Sequence, residues 1–249
     1  MGTSTLGTLL LSAFAGASLT NAIATPDSTP LEITTPVPVV QPLQLAQTGD
    51  GESNEGAEPT VADIVAGVQA FYDGVEAYHA DFVQTYENVA IGEGQEAAGH
   101  VYFLKPGRMR WDYTGPQEKY LISDGEILWI YEPEFQQAAR LNLAESDLPT
   151  AVRFLMGEGE LSGDFDIEQR ERCDEGRYCL ELTPIHSEGQ YRQLRMVVDA
   201  DTYQVHETVV IDPIGNTNRF VFANMRTTDP LPAENFEFEP PEGTRVLNP

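Results

Sequence analysis

Beyond residue 60 the hydrophobic positions change their period once. Ile64, Val65, Val68, Phe71, Tyr72 and Val75 recur at helical spacing behind Thr60-Val61-Ala62-Asp63, and Gly74 interrupts the stripe. The first four residues have the form of a capping box, so the spacing predicts one amphipathic helix at the start of the folded part of the chain. After it, apolar and polar positions alternate with period two in short runs separated by Gly, Pro, Asn or Asp, the pattern of an antiparallel sheet with tight turns. Eleven strands are predicted, near 79–88, 96–104, 108–114, 118–122, 126–132, 135–142, 164–172, 177–183, 191–199, 203–211 and 216–224. Lys105-Pro106-Gly107, Ser123-Asp124-Gly125, Asp174-Glu175-Gly176 and Asp212-Pro213-Ile214-Gly215 carry suitable turn chemistry between them. The meander is broken at 146–157, where a cap, an early Pro149, a short apolar stripe and Gly157 spell a second helix.

Eleven antiparallel strands would expose long edges unless they curl, and two helices with apolar faces need a surface to dock on. A curled sheet covered by helices satisfies both. Strand 108–114 sets Met109, Trp111 and Tyr113 against Arg108, Arg110 and Asp112, so one side is wide and apolar and the other charged. Phe220 and Phe222 repeat the alternation late in the chain. By themselves these aromatics fit either a closed core or a ligand cavity. The run from Ile127 to Tyr131 is apolar on both sides, so alternation does not say which side points inward.

The part before residue 61 has a different composition. Residues 1–24 carry no charge, run through Leu9-Leu10-Leu11-Ser12-Ala13-Phe14-Ala15 and end in Ala22-Ile23-Ala24. An apolar core too short to span a bilayer, followed by a small-x-small site, reads as an export signal despite the lack of a basic residue at its start. No cysteine follows the site, so the mature chain is expected to be soluble and unlipidated. Residues 25–60 hold six prolines, eight Ser or Thr and six acids without a base, a composition expected to form a disordered spacer rather than a core. Residues 61–249 then form one domain of ordinary size.

All fourteen basic residues of the chain lie in that domain against thirty-four of its forty acids. The excess of negative charge excludes a broad nucleic-acid surface and a polybasic membrane anchor. Catalytic chemistry is sparse: His79, His100, His186 and His206 are scattered, and no metal-binding, nucleophile-elbow or phosphate-loop motif occurs. Cys173 and Cys179 flank a predicted hairpin turn; in an exported protein they could pair, or remain two free thiols. With no cofactor or metal motif, a non-enzymatic carrier is the starting expectation. A hydrolase using a chance pair among the many carboxylates is the less favoured alternative.

More specific strings follow. Gly99-His100-Val101-Tyr102-Phe103-Leu104-Lys105-Pro106-Gly107-Arg108-Met109-Arg110-Trp111-Asp112-Tyr113, then Pro116, Ile122-Ser123-Asp124-Gly125, Leu128-Trp129-Ile130-Tyr131-Glu132-Pro133 and Gln137 resemble the LolA family of outer-membrane lipoprotein carrier proteins. So does the tail Phe236-Glu237-Phe238-Glu239-Pro240-Pro241-Glu242-Gly243-Thr244. The ordered match runs through about residues 61–249. The resemblance implies a mainly β fold, an unclosed antiparallel barrel of about eleven strands with a helical lid over its apolar side. It also implies a monomeric periplasmic chaperone of a Gram-negative bacterium, without enzyme activity or cofactor. Such a chaperone takes acylated lipoproteins from an inner-membrane ABC-type releasing complex, shields their acyl chains and passes them to an outer-membrane receptor lipoprotein. A related carrier of free lipid or glycolipid is the nearest alternative. On this basis Met109, Trp111, Tyr113, Trp129, Phe220 and Phe222 are expected to line the acyl-chain site, with Phe154, Leu155 and Met156 from the lid helix. Lys105 stands where the family places an Arg that latches the lid, offering a point charge instead of a planar fork.

Overall fold

The computed structural model describes residues 58–90, 92–143, 160–170, 173–186, 191–227 and 230–248. The expected export signal, nearly all of the spacer, and the helix expected at 146–157 with Phe154, Leu155 and Met156 lie outside the described residues. Helix α1 (Val61–Gly74) begins at the expected capping box: the Thr60 hydroxyl accepts from the Asp63 amide at 3.3 Å, and the Thr60 amide donates to Asp63 Oδ2 at 2.9 Å. The reciprocal bonds satisfy two of the donors that a helix start leaves open.

Eleven strands follow in the expected order: β1 (Ala77–Asn88), β2 (Glu93–Leu104), β3 (Arg108–Gly115), β4 (Lys119–Ser123), β5 (Ile127–Glu132), β6 (Gln137–Asn142), β7 (Phe165–Gln169), β8 (Arg177–Pro184), β9 (Gln193–Asp199), β10 (Val205–Ile211) and β11 (Thr217–Arg226). A one-turn helix α2 (Leu161–Asp164) leads directly into β7. A twelfth strand, β12 (Arg245–Leu247), was not expected; it pairs parallel to β6 and covers that edge with three residues. The sheet order is β12-β6-β5-β4-β3-β2-β1-β11-β10-β9-β8-β7, with β7 and β12 as its two unpaired ends, so the barrel is not closed. Every neighbouring pair except β12 with β6 is antiparallel.

One face of this sheet carries the core. Inward positions from β1 to β11, including Phe82, Val101, Trp111, Leu128, Leu180 and Phe220, join one apolar cluster with Ile64, Val65, Val68 and Tyr72 of α1. Flat neighbouring strands lie about 4.8 Å apart, so β3 and β11, three steps apart in the order, would be separated by roughly 14 Å. Yet the rings of Trp111 on β3 and Phe220 on β11 have centroids 5.4 Å apart. The sheet therefore curls strongly around its inner face, and a register shift between Ala98 and Gly99 lies at the centre of the bend.

Gly99 permits that bend. A Cβ at this position would stand 2.1 Å from the Asp112 carbonyl oxygen and 3.0 Å from the Phe82 ring. Gly67 plays the corresponding part on α1, where a Cβ would meet the Tyr203 ring at 2.5 Å. Gly99→Ala is expected to force the β2–β3 pair apart and to destabilise the protein by about 1–3 kcal/mol, as overpacking usually does. Urea denaturation of the variant beside the wild type measures this, and an unchanged midpoint would count against the close approach.

Candidate functional site

Strands β1, β3 and β11 bring five aromatic side chains together on the inner face. Phe82 is the hub, with ring centroids 5.0 Å from Trp111, 4.9 Å from Tyr113 and 6.1 Å from Phe220. Phe222 lies 6.3 Å from both Trp111 and Phe220, nearly parallel to the latter. Most contacts are edge-to-face, the arrangement favoured by the ring quadrupoles. Toward the α1 end, Phe103 continues the cluster to Tyr78 and Tyr78 to Tyr72. Met109 is buried on the same face. Of the residues expected to line the site, Met109, Trp111, Tyr113, Phe220 and Phe222 are thus brought together. Phe82, Tyr78 and Phe103 were missed, although the alternation Tyr78-x-Ala80-x-Phe82 carried a usable signal.

Trp129 does not join them. On β5 Leu128 and Ile130 turn inward, so Ile127, Trp129 and Tyr131 face the other side of the sheet. There the C-terminal tail crosses the outer face. Phe236 is fully buried, and the Phe238 ring packs 5.6 Å from Trp129 and 5.2 Å from Tyr131. Arg110 Nη1 donates to the Asn235 carbonyl at 3.0 Å, tying β3 to the tail. The expectation for Trp129 is corrected accordingly: a strand covered on both sides is apolar on both sides, and its aromatic on the outer side serves the tail.

Beside the apolar packing of Ile64, Val65 and Val68, polar contacts hold the helix in place. Lys105 Nζ, just beyond β2, donates to the Tyr72 carbonyl in the last turn of α1. A cation at that end also suits the partial negative charge of the helix terminus. The Tyr72 hydroxyl accepts from the Val205 amide at 3.2 Å, and Gln69 Oε1 accepts from the Leu161 amide at 3.3 Å. Lys105 therefore binds α1, where the latch was expected on the helix at 146–157, which lies outside the described residues. Lys105→Met is expected to weaken the attachment by about 1 kcal/mol, a factor of roughly five in local opening. Hydrogen exchange of the α1 amides would reveal it as faster exchange at that helix, while exchange in β8 and β9 stays unchanged.

Buried polar groups accompany the aromatics. Lys119 lies over the Tyr113 ring, its Nζ 4.3 Å from the centroid. Desolvation lowers its pKa to about 8, opposed by the nearby negative charge of Glu132. Burial raises the Tyr113, Tyr72 and Tyr78 hydroxyls well above their usual range. Between pH 8 and 10 an unfolded chain keeps its Lys119 proton while the native state sheds it, so the contribution of Lys119 to stability rises with pH. Above about pH 10 the unfolded tyrosines ionise first and stability falls. Denaturation midpoints across pH 7–11 should rise and then drop, and Lys119→Met should abolish the rise alone.

Elsewhere, Cys173 and Cys179 are joined in a disulfide with Cα atoms 5.6 Å apart, across the turn before β8. Among the described residues no group of three or more His, Cys, Asp or Glu side chains is placed to hold a metal ion.

The family model for the outer membrane lipoprotein carrier protein LolA matches residues 73–239. An outer-membrane lipoprotein carrier protein of Methylococcus capsulatus is 32% identical over 180 residues, covering 72% of this chain and 85% of the relative. One from Chromobacterium violaceum is 29% identical over 192 residues, covering 77% and 91%. Among solved structures, an uncharacterized conserved protein of Thermus thermophilus shares the fold at a TM-score of 0.50 and 14% identity, covering 76% of this chain and 98% of that one. With an unclosed sheet curled around an aromatic inner face and a sequence match over most of its length, the chain belongs to the LolA family of outer membrane lipoprotein carrier proteins.

Proposed function

We propose that this chain is a periplasmic carrier that takes acylated lipoproteins released from the inner membrane, holds their acyl chains on the inner face of its sheet, and delivers them to a receptor at the outer membrane. The observation that carries this reading is the buried aromatic cluster around Phe82 and Trp111 on the inner face of an unclosed sheet. The relatives in Methylococcus capsulatus and Chromobacterium violaceum are named for the same cargo. On this reading the donor is an ABC-type releasing complex and the acceptor a receptor lipoprotein, and residues 1–24 direct export.

The physics of such a cycle is one of exchange. An acyl chain in water costs about 0.8 kcal/mol per methylene, so cargo cannot cross an aqueous compartment bare. The rings of Trp111, Phe82, Phe220 and Phe222 pack against one another. Cargo replaces ring-to-ring and ring-to-helix contacts with ring-to-chain contacts of similar energy per area. Loading and release then differ by little, which suits a carrier with no catalytic step and no fuel of its own. Lys105 fits this cycle as a contact that must break when α1 moves.

Incubating the purified chain with spheroplasts that synthesise labelled lipoproteins tests the proposal. Labelled lipoprotein is expected in the supernatant as a one-to-one complex with the chain. Trp111→Leu, which keeps the position apolar but removes most of the ring area, should lower the released fraction severalfold while leaving unfolding cooperative. Absence of release, with an established carrier working in parallel, would overturn the reading.

A further inference from the structure

The inner face is graded along the strand direction. At the end where β2 finishes and Lys105 meets α1, it carries Tyr78, Phe103, Met109, Leu128 and Leu141. At the opposite end, where β1, β3 and β5 finish and β4, β6 and β11 begin, a polar row crosses it: Gln137, Glu132, Lys119, Tyr113, Gln84 and Asn218. The register places Gln137 opposite Glu132 and Tyr113 opposite Lys119. Phe82 stands between the Tyr113 ring and the far side of the row, where Gln84 Nε2 donates to Asn218 Oδ1 at 2.8 Å.

These side chains are as buried as the apolar core. Gln84 is 1% exposed, Tyr113 2% and Gln137 4%. A purely structural network would satisfy its members, because a buried polar group without a partner is worse for the fold than an apolar one. Here the Tyr113 hydroxyl, Gln137 Nε2 and Gln84 Oε1 have no hydrogen-bond partner among the described residues. Two donors and one acceptor are thus held dry beside the aromatic cluster.

We infer that this row is the seat for the polar linkage of the cargo: the Tyr113 hydroxyl and the Gln137 amide donate to the ester carbonyls that join acyl chains to glycerol, and Gln84 Oε1 accepts from an amide N–H beside them. The hydrocarbon then runs over Trp111, Phe220 and Phe222 toward Tyr78 and Phe103. The inference rests on the carrier reading and adds a polarity to it, with chains pointing toward the α1 anchor and ester groups at the other end. A diacyl lipid end has ester carbonyls without donors of its own, so dry donors are the groups it needs. A free hydrocarbon or an ether-linked chain would leave them empty. Ester-bearing cargo could be the N-terminus of a lipoprotein or a free diacyl lipid, and only the former also offers the backbone amide for Gln84.

Three probes with identical chains test this on the full chain, with binding followed by tryptophan fluorescence. They are a dipalmitoyl-glyceryl-cysteinyl peptide, its dihexadecyl ether analogue, and dipalmitoyl phosphatidylglycerol. The ester peptide is expected to bind about tenfold more tightly than the ether peptide, the scale of one or two net hydrogen bonds. In Tyr113→Phe combined with Gln137→Met, both of similar shape to the residues replaced, that ratio should collapse toward one. The melting temperature of the double variant should stay level or rise, since neither the Tyr113 hydroxyl nor Gln137 Nε2 has a partner among the described residues to lose. Tighter binding of the ester peptide than of phosphatidylglycerol assigns the site to lipoproteins, and equal binding to diacyl esters in general. If ester and ether peptides bind equally in the wild type, or if the double variant keeps the ratio, the polar row is not the seat and the carrier reading stands without it. If none of the three binds, the carrier reading itself falls.

Discussion

The packing of Trp111 against Phe82 and Phe220 ties β3 to β1 and β11, strands two and three steps away in the sheet that a flat arrangement would hold well apart. Three conditions meet at the Trp111 ring. Gly99 on the neighbouring strand leaves the backbone of β3 close enough for the bend, the antiparallel register puts the three rings on one face, and the aromatic rings are long enough to reach across it. Burial of large side chains, each contributing about 1.5–3 kcal/mol, then makes the curl favourable. The unclosed shape follows, since the sheet wraps around its own aromatic contents and leaves β7 and β12 unpaired with each other.

The two faces of the sheet solve different problems. Inside, α1 packs Ile64, Val65, Val68 and Tyr72 into the apolar cluster, and hydrogen bonds through Lys105, Tyr72 and Gln69 fix its position. Outside, the tail lies over Trp129 and Tyr131 with Phe236 fully buried, a form of cover secured by packing and by the Arg110 bond to Asn235. Several arginines are engaged by carboxylates there: Arg110 by Asp112, Arg170 and Arg195 by Glu181, and Arg219 by Glu207. Since acids outnumber bases so heavily, the remaining surface stays strongly negative, which opposes adsorption to anionic lipid.

Much of this was legible from the residues in order. The helix at Val61 was readable because a capping box and a helical stripe are both local, and the strands because alternation is a property of neighbours. Trp111 and Phe220 could be placed on apolar strand faces for the same reason. Trp129 was misplaced because alternation fails where both faces are covered, and what covers its side is Phe238, more than a hundred residues further on. The three exposed or half-exposed residues of β12 show no strand pattern of their own; pairing with β6 alone makes them a strand. Lys119 and Gln84 drew no notice as site residues because a polar residue in an alternating strand ordinarily marks the solvent face.

Local chemistry in the sequence therefore determined the elements, their order, the aromatic stripe and, through an ordered set of strings, the family. Those are consequences of dihedral preference and side-chain period, which act over a few residues. Only the tertiary structure decided which face of β5 looks inward, that Phe82 is the hub, that Lys105 holds α1, and that dry hydrogen-bonding groups gather at one end of the inner face. Each of these depends on pairings and contacts between segments far apart in the chain, and on removal of water from groups whose sequence neighbours say nothing about their burial.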